Sequence, residues 1–170
     1  MRFIIISDTH RYIENAIDVL EHFKDEMDGF IHLGDHYADA MSLRKQFPDK
    51  RFYAVLGNND FDFDAPHSKT AFIGGKKILL THGHKQRVSY GLMYLDYFGR
   101  QEEADAVLFG HTHRPCLEYS GTMAMFNPGS ISRPRSTYEP TFGIMDVKNG
   151  DIKFSAYIMK GPGNYEEIKI

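Results

Sequence analysis

The sequence predicts an α/β fold in which two mixed β-sheets are packed as a sandwich and flanked by helices. Strands and helices alternate through the first third of the chain, which indicates parallel strands joined by right-handed crossovers. The remainder is rich in strands separated by hairpin turns, and about ten strands is the upper limit for one strongly twisted open sheet. Because the chain has 170 residues, we expect residues 1–170 to form a single domain.

The first third contains three predicted strands and two predicted helices. Short β-branched or apolar runs predict the strands, and apolar side chains at helical spacing predict the helices. Pro48 ends the second helix because proline cannot continue it. In chain order, the elements are a strand at 2–7, a helix at 13–23, a strand at 30–33, a helix at 37–47 and a strand at 52–56.

The rest of the chain is predicted to consist mainly of hairpins. Gly74 and Gly75 form a two-residue turn between strands at 69–73 and 76–81. Apolar residues then predict a helix at 89–101 and a strand at 106–109, each by its spacing. Turns at 120–121 and 149–150 and a loop at 127–140 separate four further predicted strands, at 116–119, 123–126, 142–147 and 152–158.

Composition and charge exclude several classes of protein. Charged residues make up 25% of the chain and hydrophobic residues 42%, which is typical of a folded globular protein. The net charge of −3 provides no basic field for nucleic acid or anionic lipid. Cys116 is the only cysteine, which excludes an intramolecular disulfide and fits a reducing compartment. No export signal or apolar run of about 18 residues is visible, so we expect a cytoplasmic protein with no membrane partner.

Polar residues stand directly after the predicted strands, at the end where ligand sites assemble in α/β sheets. Imidazole, carboxylate and amide groups suit Mn, Fe, Co, Ni or Zn dications. The candidates are too many for one tetrahedral shell, and two metals about 3.5–4 Å apart, bridged by a carboxylate, would use them economically. They are Asp8, His10, Asp35, Asn58, His82, His84, His111 and His113.

Each short motif also has a structural explanation. Residues 8–10 could form a turn or a helix cap, and residues 57–60 contain the usual turn-forming residues. A single histidine is more often a structural hydrogen-bonding residue than a ligand. Five such motifs in order, each at a strand end, are hard to obtain from structural needs alone, so together they favour a metal site.

The ordered motifs resemble the signature D-x-H, G-D, G-N-H-[DE], H and G-H-x-H of the calcineurin-like metallophosphoesterase superfamily. The small prokaryotic phosphodiesterase branch is the most similar, because it shares the Thr-His-Gly-His form at 81–84 and the loop at 127–130. The resemblance implies the αββα metallophosphoesterase fold and two divalent metals, with manganese as the first choice. It implies that Asp8, His10, Asp35 and His113 hold one metal, and that Asp35, Asn58, His82 and His111 hold the other.

Asn59 departs from this signature, because many relatives carry a histidine there that is thought to protonate the leaving group. An asparagine amide cannot act as a general acid at neutral pH, so the departure favours phosphodiesters with good leaving groups. Resemblance also implies that Asp60 orients a neighbouring histidine and that His84 contacts phosphoryl oxygens. His36 is either a pocket residue or an exposed loop residue.

The predicted function is that of a dinuclear-metal phosphodiesterase acting on small phosphodiesters. A metal-bridging hydroxide, available near neutral pH, attacks phosphorus in line, and the catalytic group is Asp35, Asn58, Asp60 and His84. Alternatives are a non-catalytic scaffold resembling the retromer subunit of this fold, a nuclease, and a phosphomonoesterase. The negative net charge disfavours a nuclease, and loss of ligands, which would mark a scaffold, is not seen.

Aromatic residues are dense at 61–63 and at 90–98. Core packing is the simplest explanation for them. A homodimer interface or an apolar wall near the site is the alternative, because interface cores are enriched in aromatic residues.

Overall fold

The computed structural model describes residues 1–61 and 64–170, and in these residues two β-sheets are flanked by helices. Helices α1, α2 and α3 span Glu14–His22, Tyr37–Gln46 and Met93–Gln101. Strands β1 to β11 span, in order, Arg2–Ile6, Gly29–His32, Arg51–Ala54, Ser68–Ile73, Lys76–Thr81, Ala106–Leu108, Pro115–Ser120, Met123–Pro128, Thr141–Lys148, Asp151–Gly161 and Asn164–Ile168.

Both sheets contain parallel and antiparallel pairs, which confirms the predicted sandwich of mixed sheets. The first has the order β11-β10-β9-β1-β2-β3 and the second the order β4-β5-β6-β8-β7. Strands β1, β2 and β3 are parallel, as the alternation of strands and helices predicts. Strands β5 and β6 are also parallel, so the carboxyl ends of β1, β2, β5 and β6 all carry loops that can form a site.

Strand β1 illustrates why the core has two layers. Phe3 and Ile5 are buried in the cluster that also holds Phe126 of the second sheet. Ile4 and Ile6 are buried on the opposite face, against Leu20 of α1 and its neighbours. Because successive side chains of a strand point to opposite faces, a strand that is buried on both faces reads as a continuous apolar run.

The prediction of one continuous helix at 89–101 is wrong, because the structure has two separate helical segments there. A short 3₁₀ turn covers Val88–Tyr90, and α3 begins only at Met93. Gly91 separates them with φ of 133°, a backbone angle that no helix contains. Apolar spacing cannot reveal such a break, because the side chains on either side of it still face the same core.

Strand β11 is absent from the sequence-based prediction. Its residues are mostly polar, and it pairs with β10 at the edge of the first sheet. Gly163, with φ of 65°, lies in the turn between the two strands. An exposed edge strand carries only weak apolar alternation, and this is why its sequence pattern does not predict it.

The aromatic residues near α3 divide between core and surface. Leu95 is buried and Phe98 packs against the same cluster, as core packing predicts. Tyr90, Tyr94 and Tyr97 are instead 94%, 51% and 62% exposed, so core packing does not explain them. Of the aromatic group at 61–63, Phe61 is exposed, and residues 62 and 63 lie outside the described residues.

In the part of the chain that the structure describes, no helix has the length and apolar character needed to cross a membrane.

Candidate metal centre

Loops that follow β1, β2, β3, β5 and β6 meet at one end of the sandwich. They bring together all seven predicted metal-ligating residues, through contacts between side chains from both sheets. The seven are Asp8, His10, Asp35, Asn58, His82, His111 and His113.

Five of these residues adopt a backbone conformation that residues other than glycine seldom adopt. The φ angles of Asp8, His10, Asp35, His111 and His113 lie between 47° and 68°. Such left-handed positions cost of order 1 kcal/mol or more each, and they cluster at functional sites in proteins. The local strain therefore indicates that this end of the sandwich is shaped for a ligand rather than for stability.

One group of side chains is formed by the loops after β1, β2 and β6. Asp8, His10, Asp35 and His113 each offer one ligand atom, and these atoms lie within 4.8 Å of one another. Nε2 of His113 lies 3.2 Å from Oδ1 of Asp8 and 3.2 Å from Nε2 of His10. Both carboxylates are buried.

A second group shares Asp35 with the first. Nε2 of His82 lies 3.3 Å from Oδ1 of Asp35 and 3.1 Å from Oδ1 of Asn58. Nδ1 of His111 lies 2.9 Å from the same Asn58 oxygen. Asp35 thus lies between the two groups, where a bridging carboxylate would lie.

Backbone carbonyls determine which ring nitrogens face the centre. Nδ1 of His82 donates to the Leu33 carbonyl oxygen at 2.7 Å, and Nδ1 of His113 donates to that of Arg133 at 2.6 Å. A carbonyl can only accept, so in each neutral ring Nε2 carries the lone pair and points at the centre. Metal-binding histidines are commonly held in this way.

The donor set fits divalent metal ions. In its neutral form, Nε2 of His82 faces two other acceptors, the side-chain oxygens of Asn58 and Asp35. Oδ1 of Asp8 is buried and has no hydrogen-bond partner among the described residues. Acceptors that face one another with no donor between them repel one another, and a cation between them would satisfy each.

The pKa shifts of Asp8, His10 and His111 favour ligation, whereas that of His113 favours its protonated form. Burial disfavours the Asp8 carboxylate, but His113 and His82 outweigh it and lower the pKa of Asp8 to about 2. Burial lowers the pKa of both His10 and His111, which keeps their lone pairs available. Burial also lowers the pKa of His113, but the adjacent Asp8 carboxylate more than offsets this, so that its pKa is raised.

Several supporting residues were not identified from the sequence. Ser7 donates to Oδ2 of Asp8 at 2.6 Å, and the hydroxyls of Ser130 and Ser132 donate to the Asp8 carbonyl at 3.0 and 2.9 Å. Buried His32 contacts the Thr9 hydroxyl at 3.1 Å, next to Asp8 in the chain. Serines and threonines in loops are too common to be a signal, although the loop at 127–130 was part of the resemblance.

Asn59 and Asp60 tie the loop after β3 to Asp35. The backbone and side-chain N–H groups of Asn59 donate to Oδ1 and Oδ2 of Asp35 at 3.0 and 2.6 Å. Asp60 was predicted to orient a neighbouring histidine, and here the structure differs. Its carboxylate accepts from the backbone N–H groups of Asp35, Gly57 and Tyr37, so it organises the turn around Asp35 instead.

The remaining histidines differ in how close they lie to the centre. The His84 ring lies 5.4 Å from that of His82, and burial and its histidine neighbours lower the pKa of His84 to about 4. Nδ1 of His84 is buried without a hydrogen-bond partner among the described residues. The half-buried His36 ring lies 5.6 Å from that of His10, so it lies beside the centre, which favours the interpretation as a pocket residue over an exposed loop residue. His22 and His67 are exposed.

Comparison with known proteins is consistent with this geometry. Residues 1–150 match the calcineurin-like phosphoesterase superfamily domain. "Probable metallophosphoesterase YsnB" of Bacillus subtilis is 33% identical over 150 residues, covering 88% of this chain and 86% of that protein. "Phosphodiesterase MJ0936" of Methanocaldococcus jannaschii is 29% identical over 170 residues, covering 90% and 97%. The zinc complex of Vps29 from Entamoeba histolytica has 20% identity and a TM-score of 0.82, covers 100% of this chain and 98% of that one, and shows the shared fold alone.

Proposed function

This chain belongs to the calcineurin-like phosphoesterase superfamily, and we propose that it is a cytoplasmic, dinuclear-metal phosphodiesterase that hydrolyses small phosphodiesters. Residues 1–170 act as one domain, and manganese is the first candidate for the metal. The single observation that carries the proposal is the position of the Asp35 carboxylate between two groups of ligand atoms.

Two metals would be held by the sets that the family signature implies. Asp8, His10, Asp35 and His113 would hold one, and Asp35, Asn58, His82 and His111 the other. When bound, such a pair supplies a hydroxide near neutral pH and neutralises the phosphoryl oxygens.

The protein's own side chains orient this centre and the substrate. The Leu33 and Arg133 carbonyls hold the His82 and His113 rings with Nε2 directed inward. Asn59 keeps both Asp35 oxygens in place, and Asn58 presents its oxygen between His82 and His111. His84, beside His82, contacts the phosphoryl oxygens as the substrate binds.

A phosphodiester is favoured over a monoester because of Asn59. Its amide carries no acidic proton, and its side-chain N–H group is engaged with Asp35. A leaving group must therefore depart without a proton from this position. Diesters with stable leaving groups satisfy that requirement.

Substitution of the shared carboxylate tests the proposal. We expect Asp35→Asn to lower the amount of bound metal and to reduce hydrolysis of bis(4-nitrophenyl) phosphate by more than about a hundredfold. Mutation of residues that only hydrogen-bond to metal ligands already reduces metal affinity or activity by up to about a hundredfold. Metal content is measured by mass spectrometry on purified protein and activity by nitrophenolate release. Asp151→Asn, at the exposed first residue of β10, is the matched control. Two bound metals with full activity in Asp35→Asn would contradict the proposal.

A non-catalytic scaffold is the second candidate, favoured by the Vps29 fold. The same experiment separates the two, because a scaffold would bind metal without hydrolysing any ester. A panel that adds 4-nitrophenyl phosphate and a single-stranded oligonucleotide would reveal a phosphomonoesterase or a nuclease instead.

A further inference from the structure

A groove of about 520 Å³ lies beside the metal centre. We refer to it as the side groove; its lining includes Val88, Leu92, Thr112, Arg114, Pro115 and Arg135. Ligand sites of proteins have volumes of about 300–1,000 Å³, so the side groove is large enough for a group much bigger than a phosphoryl group.

The side groove adjoins the loop that carries two of the candidate ligands. Thr112, in its lining, stands between the ligands His111 and His113 in the chain. The Arg135 backbone N–H donates to the His113 carbonyl at 3.1 Å. An ester arm that extends from the centre past Thr112 would enter the side groove.

The walls of the side groove differ in chemistry. Half-buried Leu92 and Pro115, together with the largely buried Val88, provide an apolar wall on which a flat ring can lie. Arg114 and Arg135 are exposed cations at the same groove, and Glu118 is an exposed carboxylate there. Arginine presents a planar fork that matches phosphate oxygens. An apolar surface beside two such forks is complementary to a ring that carries a phosphate.

We propose that the side groove binds the non-leaving ester arm of the substrate, and that this arm is a nucleotide, with its ring on Val88 and Leu92 and its own phosphate on Arg114 and Arg135. This inference rests on the proposed function and narrows its substrate class to small nucleotide phosphodiesters. Hydrolysis breaks the bond between phosphorus and the leaving-group oxygen, so water's oxygen joins phosphorus and the nucleotide arm keeps the phosphoryl group.

Three diesters that share a 4-nitrophenyl leaving group test the proposal, with methyl, thymidine-5′ and 3′-phosphothymidine-5′ as the other arm. Because the leaving group is constant, differences in kcat/KM report binding of the arm. We expect kcat/KM to rise about tenfold from methyl to thymidine and about tenfold again with the 3′-phosphate, as expected for a contact with a charged group.

Two variants assign these steps to the side groove. Leu92→Ala should reduce the rise in kcat/KM from the methyl to the thymidine diester, and Arg114→Gln should abolish the further rise with the 3′-phosphate. Arg44→Gln on α2 removes an equal charge and should preserve both rises. Equal kcat/KM for all three diesters in the unsubstituted protein, or equal ratios in all variants, would overturn the inference while leaving the proposed hydrolysis intact.

A second readout does not depend on activity. Cys116, the only cysteine, also lines the side groove, so thymidine 3′,5′-bisphosphate should slow its alkylation in the metal-free protein at least severalfold. Protection that Arg114→Gln removes supports the inference even if no diester is hydrolysed, in which case the proposed function alone fails. Unchanged alkylation at saturating bisphosphate would contradict the inference.

Discussion

Asn59 is the residue at which this chain differs most from its family's signature. Its side chain donates to Oδ2 of Asp35 at 2.6 Å, so it supports the shared carboxylate and has no proton to give a leaving group. Asparagine in place of the signature histidine therefore affects two properties. These are the hydrogen bonding of the Asp35 carboxylate and the dependence of the hydrolysis rate on the leaving group. A histidine at this position would gain an acid and lose this hydrogen bond.

We expect the hydrolysis rate to fall steeply as leaving-group pKa rises across a series of aryl and alkyl phosphodiesters. Asn59→His should flatten this dependence, with a gain of at most the 10²–10⁴-fold that general acids contribute, seen mainly for poor leaving groups. Asn59→Ala is the control, because it removes the contact with Asp35 without adding an imidazole. A rate that does not vary with leaving-group pKa in the unsubstituted protein would show that another residue supplies the proton or that chemistry is not rate-limiting.

Cys116 provides a pH-dependent prediction. Burial, and secondarily Glu118, raise the pKa of this thiol from 9.0 to about 11. The reactive thiolate is therefore about a hundredfold scarcer at pH 8 than in the unfolded chain, and its amount rises with pH up to about 11. Native protein should react with iodoacetamide about a hundredfold more slowly at pH 8 than urea-unfolded protein, as measured by mass spectrometry. Equal rates would show that the thiol is not desolvated.

At the scale of elements, the centre depends on close approach between the turns after β2 and β3. A Cβ atom at Gly57 would collide with Oδ1 and the backbone nitrogen of Asp35. The turn cannot simply move away, because Asp60 accepts hydrogen bonds from the N–H groups of both Gly57 and Asp35. Glycine at this position is thus required by space rather than by backbone angle.

Gly57→Ala should weaken metal binding at least tenfold, because it displaces the Asp35 carboxylate. Gly75→Ala, in the turn between β4 and β5, is the control: its φ is 82° and its surroundings are open, so it should cost about 1 kcal/mol of stability without changing metal affinity. Affinity is measured by competition with a chelator and stability by urea unfolding. Unaltered metal affinity in Gly57→Ala would show that the turn can adapt.

At the scale of the whole molecule, the centre connects the two sheets. Asp8, His10 and Asp35 follow strands of the first sheet, whereas His82, His111 and His113 follow strands of the second. Bound metal would hold the loops of both sheets together and would replace the mutual repulsion of their acceptors. We therefore expect metal binding to stabilise the fold and not only to support activity.

Metal added at about a thousand times its dissociation constant should stabilise the fold by about 4 kcal/mol per independent site. For a chain of this size, that corresponds to a rise in Tm of roughly 10 °C, which a chelator should reverse. Calorimetry with manganese and with magnesium measures the effect, and Asp35→Asn should show much less of it. An identical Tm with and without metal would argue against a site formed only in the folded state.

The homodimer stays a prediction at this scale. The exposed Tyr90, Tyr94 and Tyr97 leave an aromatic surface near α3 for which core packing gives no explanation. Their spacing alone did not distinguish exposed from buried members, because tyrosine occurs in both settings.

The sequence by itself determined the fold class and the identity of the candidate ligands. Both depend on local information: apolar runs mark the strands, and Asp8, Asp35, His82 and His111 stand directly or within a few residues after them. Since strands that pair in parallel end at the same edge, convergence of these residues followed from their order along the chain.

Tertiary structure alone decided how the ligands are presented. The Leu33 and Arg133 carbonyls, distant in sequence from His82 and His113, determine which ring nitrogens face inward. Likewise, the partners of Asp60 are backbone groups brought close by the turn, and the side groove combines three segments that are separate in the chain. Such features depend on distances and directions between segments far apart in the chain, which residue types and spacings do not encode.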